Sequence, residues 1–136
     1  MATQPQFIST PRIGVASLSS ANTAVDGTGT ITTLIIGAAA GTRVLEIDTQ
    51  CATQTTGQAS ANVAALINIF LSLDGGTTWN LLDQISVTAA SASNTVRLNR
   101  NLATYANLIL PDANARLGCT TTIAQQTRVF ALGGDF

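Results

Sequence analysis

Residues 72–79 read SLDGGTTW, from Ser72 to Trp79. This is turn chemistry. A short carboxylate accepts hydrogen bonds from nearby N–H groups, and glycine supplies positive φ. An apolar stretch lies on each side. Val63–Leu73 carries Ile67, Ile69, Leu71 and Leu73 on one face. Trp79–Ala89 carries Trp79, Leu81, Ile85 and Val87 on one face, interrupted by Asp83. Two alternating runs joined by such a turn predict a β-hairpin. A bulge near Leu82 would move Asp83 outward. Ser72, Asp74, Gly76, Thr78 and Trp79 then all have structural roles, with the indole covering the hairpin.

Working outward, strand signals recur along the chain. TITTLII (Thr30–Ile36) is rich in β-branched residues. Thr42–Cys51 alternates, with Leu45, Ile47, Thr49 and Cys51 on one face and Glu46, Asp48 and Gln50 on the other. Thr95–Asn99, Asn107–Leu110, Ala115–Ile123 and Thr127–Leu132 are further candidates. Asn101–Ala106 is the best helix candidate, and it is too short to stand alone. The polar stretch from Ala52 to Asn62 reads as a loop. Residues 1–29 contain Pro5, Pro11, Gly14, Gly27 and Gly29 and read as an extended N-terminal arm, with Arg12–Leu18 as a first strand within it. Residues 30–136 then form a single domain. The expectation is an all-β antiparallel sandwich of about eight or nine strands, jelly-roll-like.

Composition narrows the function. The 136 residues suit one domain able to bury a core unaided. Charged residues make up 10%, the net charge is −1, and all six basic residues are arginine. No basic stripe exists for nucleic acid. No stretch is long and apolar enough to span a bilayer, and MATQPQFISTPR lacks the apolar segment of a secretory signal. The chain is expected to be made in the cytoplasm. Such a sparsely charged surface suits a protein packed against neighbours.

Chemistry is correspondingly scarce. With no histidine, Ser-His and Cys-His nucleophile pairs are excluded, and the two cysteines offer no zinc spacing. No catalytic, cofactor or metal residue is assigned. SLDGGTTW does match the Ser-x-Asp-x-Gly-x-Thr-Trp pattern of the Asp-box in sialidases and other propeller proteins. A propeller needs at least four four-stranded blades, which 136 residues cannot supply. The box therefore reads as a hairpin turn. Glu46 and Asp48 stand about 7 Å apart on one strand face, a spacing common on solvated faces. Cys51 and Cys119 both fall on apolar faces. They read as buried thiols, with a disulfide as the alternative. Arg97, Arg100, Arg116 and Arg128 are scattered over strand faces. Tyr105, beside Asn101 and Asn107, is the one candidate sugar contact.

Four segments together resemble a known family. ATQPQFISTPRIGVASLSSANTAVDGTGTI opens the chain, and LSLDGGTTWNLLDQISVTA forms its middle. NLILPDANARLGCTTT follows, and VFALGGDF closes the sequence. In this order they are similar to a family of small virion structural proteins of tailed bacteriophages. The chain has leucine before its terminal glycines where that family has an aromatic residue. The resemblance implies a non-enzymatic virion subunit: a capsid decoration protein, or a tail, neck or fibre subunit. It implies the major capsid protein or other virion proteins as partners, together with further copies of the chain as a homotrimer. No cofactor, nucleic acid or membrane is implied. A carbohydrate-binding host-recognition module is the alternative from another class.

Overall fold

The computed structural model describes residues 8–51, 54–55, 58–59, 62–91 and 100–136. All its regular elements are strands: β1 (Thr10–Leu18), β2 (Thr32–Ile36), β3 (Thr42–Cys51), β4 (Gln54–Thr55), β5 (Gln58–Ala59), β6 (Ala65–Ser72), β7 (Asn80–Val87), β8 (Arg100–Leu110), β9 (Arg116–Thr121) and β10 (Thr127–Asp135). Eight of them form two four-stranded antiparallel sheets, ordered β1-β10-β3-β8 and β2-β9-β6-β7. The short pair β4-β5 stands apart within the β3–β6 connection. The protein is an all-β sandwich.

The expected strand at Thr95–Asn99 lies outside the described residues, as do Arg97 and most of the 52–61 loop. The segment Asn101–Ala106, too short to stand alone as a helix, is strand. These residues belong to β8, paired along β3 from Asn101↔Thr49 to Thr104↔Glu46. A sheet neighbour overrides the weak helix propensity of two alanines and a leucine.

The two sheets pack face to face, with β1 against β2 along one long side and β7 against β8 along the other. The shared core includes Leu18, Leu34, Val44, Ile47, Ile67, Ile69, Leu117 and Val129. Each fully buried aliphatic side chain contributes roughly 1.5–3 kcal/mol. Gly14 lies where the sheets approach closely, since a Cβ there would stand 2.3 Å from the Leu34 carbonyl oxygen.

Two bulges rearrange the expected faces. On β3, Leu45 is the extra residue between Val44↔Gly133 and Glu46↔Leu132. Thr42 and Val44 point inward before it, Ile47 and Thr49 after it, and Leu45 itself is exposed. On β7, Leu82 is the extra residue, because Ile69 pairs with Asp83 and Phe70 with Leu81. The bulge stands where the sequence places it, but it moves the other residues. Asp83 stays on the inner face opposite Ile69, while Leu81 shares the outer face with Phe70. The expected core face of Trp79, Leu81, Ile85 and Val87 therefore divides, and only Ile85 and Val87 enter the inner core.

The middle of β6, from Ile67 to Phe70, is consequently buried on both faces. Its outer residues Asn68 and Phe70 have no exposed surface. Asn68 donates to Thr120 Oγ1 at 3.2 Å and accepts from Gln84 Nε2 at 2.8 Å, forming a polar ladder across β9, β6 and β7. Phe70 lies opposite Gly118 and Leu81. The Trp79 ring and Ile31 fill the space over Gly118, where a Cβ would stand 2.8 Å from the indole and 2.5 Å from Ile31.

The N-terminal segment also differs from a free arm. β1 pairs with β10 over all nine residues and places Ala16 and Leu18 in the core. Residues 19–31 cross the outer side of the second sheet, with Ala21 bridged to Thr121. Deleting the first 12 residues would thus remove three residues of β1, including Arg12, rather than spare the body.

Candidate functional site

The Ser72–Trp79 turn builds itself from local contacts. Asp74 Oδ1 accepts from the Ser72 hydroxyl at 2.7 Å, from Thr77 N–H at 3.1 Å and from Thr78 N–H at 2.9 Å. Ser72 Oγ accepts from Gly76 N–H at 2.9 Å. Gly75 and Gly76 take φ of 78° and 90°, which other residues rarely adopt. The Gly75 N–H reaches out to the Asn114 carbonyl at 3.0 Å, tying the turn to the β8–β9 loop. Bonds from Thr78 and Ser72 to the ionised carboxylate hold Asp74 down at about 2.

The sign follows from linkage. A carboxylate whose folded pKa is depressed stabilises the fold above its unfolded pKa near 3.8, and that contribution disappears as pH falls toward 2. Asp74→Asn should therefore be less stable than wild type at neutral pH, with the difference closing between pH 4 and 2. Urea melts across that range provide the check. A gap that persists unchanged at pH 2 would assign the effect to shape rather than charge.

The turn is one corner of a larger arrangement. Trp79 leaves it to lie over Gly118, and its carbonyl sits against Gly27 of the 19–31 loop. Asn22 clasps that loop, donating to the carbonyls of Thr28 and Thr30 and accepting from Ala24 N–H. Asp26 caps it by accepting from the Thr28 N–H and hydroxyl. The NTAVDGTGT stretch is thus a closed loop sealed onto the indole side of the hairpin.

The closing GGDF forms a second corner. Gly133 and Gly134 lie where a Cβ would meet the Arg43 carbonyl oxygen at 2.0 Å and Ile8 Cγ2 at 2.2 Å. Asp135 Oδ1 accepts from Thr42 Oγ1 at 2.5 Å and from Arg12 Nη1 at 3.2 Å. Those two donors lower its pKa, Thr42 foremost. Arg12 Nη1 also donates to the Ile36 carbonyl, so one guanidinium ties together β1, β2 and β10. Phe136 packs on Gly41.

The remaining candidates do not converge. Glu46 and Asp48 share the outer face of the first sheet, opposite Leu132 and Phe130. Asp48 is nonetheless buried rather than solvated. Arg116 lies over the turn glycines, on the second sheet. Arg128 stands exposed on the outer face of the first sheet, opposite Ser17 and Gln50. Arg100 contributes its backbone to β8, and its side chain is outside the described part. Cys119 is a free, buried thiol whose pKa burial pushes up to about 12, which leaves it unreactive. Cys51 ends β3 opposite Thr127, and its side chain also lies outside the described part.

Tyr105 has a structural task. Its hydroxyl donates to Asp83 Oδ2 at 2.7 Å, joining the two sheets across the β7–β8 side. Burial, with the Asp83 carboxylate second, raises the phenol pKa. Tyr105→Phe leaves the inward-facing Asp83 without this donor and should cost about 1–3 kcal/mol. Chemical denaturation at neutral pH measures it, and a loss below 0.5 kcal/mol, the usual range of a surface substitution, would mean water replaces the hydroxyl.

Among the described residues, no group of three or more His, Cys, Asp or Glu is placed to hold a metal, and no helix is long and apolar enough to cross a membrane. No protein-family model and no curated protein matches the chain. What the geometry does offer is a rigid body, closed at two corners by the segments SLDGGTTW and GGDF.

Proposed function

We propose that this chain is a non-enzymatic structural subunit of a bacteriophage virion, a decoration protein that binds the outer surface of the head. The carrying observation is where the family-like segments fall. NTAVDGTGT, SLDGGTTW and GGDF occupy turns and corners whose glycines either take positive φ or leave no room for a Cβ. They are signatures of a body shape, not of a reaction centre.

The strand order supports a jelly-roll reading of the sandwich. With the small β4-β5 pair set aside, the first strand pairs with the last and the second with the next to last. The third pairs with the last and the sixth, as in a long hairpin rolled into two Greek keys. Viral capsid domains use that architecture repeatedly. Function would be adhesion: the sandwich supplies a stiff body, and the residues ahead of β1 contact the shell or a neighbour. The partners are then virion proteins and further copies of the chain.

Quantitative mass spectrometry of purified particles tests the reading. A copy number equal to that of the major capsid protein, or a simple fraction of it, is expected. A few copies per particle would reassign the chain to the neck, tail or fibre, and its absence from particles would overturn the virion reading. For the carbohydrate alternative, the one candidate contact is Tyr105, whose hydroxyl is bonded to Asp83; a glycan-array screen tests it.

A further inference from the structure

Each sheet of the sandwich has two edge strands, and three of the four are interrupted. β2 shifts register between Thr33 and Ile35, β7 carries the Leu82 bulge, and β8 slips by two residues where it passes Leu45. Bulges of this kind stop an edge from pairing with another chain. β1 has none. Its register with β10 runs unbroken from Thr10↔Asp135 to Leu18↔Thr127.

The usual alternative guards are confined to its start, at Pro11 and Arg12. β1 has no lysine, and its proline is at its second residue, leaving the stretch from Arg12 onward able to donate and accept. Its outer face carries Ile13 at 67% and Val15 at 54% exposure. Both continue inward across the sheet to half-buried Leu132 and Phe130. The strand is about 30 Å long at the usual rise per residue. Among the described residues, nothing pairs with its open side.

We infer that this edge is the seam between two copies of the chain, β1 running antiparallel to its symmetry mate so that the first sheets join into one. Electrostatics permits a second copy and disfavours a charged partner. A two-fold contact sets a surface against itself, so a patch of one charge sign would repel. The wall formed by β1 and β2 contains a single charged side chain, Arg12, and Asp135 neutralises it at 3.2 Å. An acidic or basic partner would find nothing to pair with there. An extended strand of the same neutral, alternating composition finds backbone donors and acceptors together with two exposed aliphatic side chains.

The seam predicts a two-fold assembly in place of the homotrimer implied by the family resemblance. It stands on strand geometry and does not depend on the virion reading, which the particle stoichiometry tests separately. Sedimentation equilibrium of the full chain at high micromolar concentration should give twice the chain mass. Val15→Lys puts like charges on both sides of the two-fold and should halve that mass. Because Val15 is exposed, the circular dichroism spectrum should stay unchanged. Hydrogen exchange should show the outward-pointing amides of residues 12–18 protected in the wild type and released in the variant. A monomeric or trimeric wild type, or a Val15→Lys protein that keeps its dimer mass and its protection, would overturn the inference.

Discussion

Phe70→Ala is expected to lower the unfolding free energy by about 3–5 kcal/mol, as large as any core truncation. The residue does not face the shared core. It lies on the outer side of β6 with no exposed surface, between Gly118 and Leu81, where Trp79 and Ile31 roof the second sheet. Truncation leaves a cavity under that roof, and the roof cannot fall to fill it. Trp79 is held by the hairpin turn, and the loop bearing Ile31 is clasped by Asn22. Urea unfolding followed by tryptophan fluorescence reads both the stability and the indole environment. A cost under 1 kcal/mol, small beside a typical core truncation, would mean that the roof settles and that the outer layer is no second core.

Gly133→Ala should be nearly as damaging, by about 3 kcal/mol or more, the upper end of overpacking costs. Its added methyl would stand 2.0 Å from the Arg43 carbonyl oxygen and 3.0 Å from Val44 Cα. Both obstacles are backbone, so no side chain can swing aside. The crowding arises from the β3 bulge, because Leu45 bows out and brings the strand before it close under β10. For a chain of this size the melting temperature should drop by roughly 10 °C. Gly75→Ala is the contrast. Its cost comes from φ of 78° alone, since the nearest neighbour of an added Cβ is the Arg116 guanidinium at 3.9 Å. Gly133 has no such φ, so if the two variants melt together, a backbone shift relieves its crowding and the 2.0 Å contact is no measure of cost.

Much of this architecture is legible in the residues. The expected bounds Thr42–Cys51 match β3 to the residue, and the hairpin around Asp74 needs only contacts within a few positions. Alternation assigns a face only while register holds, however. One extra residue at Leu45 and another at Leu82 reverse the phase, so Leu45 faces out and Leu81 joins the outer layer. Nothing in a one-dimensional pattern marks which residue will be extra. The GGDF corner was hidden for a different reason. Its partners Arg12 and Thr42 lie 123 and 93 positions away. Asn68 did carry a signal, as an amide in the most apolar strand, and the ladder to Thr120 and Gln84 is what satisfies it.

The place of β10 also sets the order of events when the chain is made. It is the last strand in sequence, yet it lies in the interior of its sheet, between β1 and β3. Until it emerges, β1 has no partner within its sheet and β3 has only β8. The second sheet carries no such delay, because its strands are complete once β9 has been synthesised. Folding is therefore expected to begin in the second sheet, with β1 waiting through more than a hundred residues of synthesis for the partner that pairs Thr10 with Asp135. Chains dominated by such distant pairings fold slowly, in milliseconds to seconds, and expose their edges meanwhile. In this protein the waiting edge is the one carrying Ile13 and Val15, so crowding of nascent chains favours premature contact at that strand.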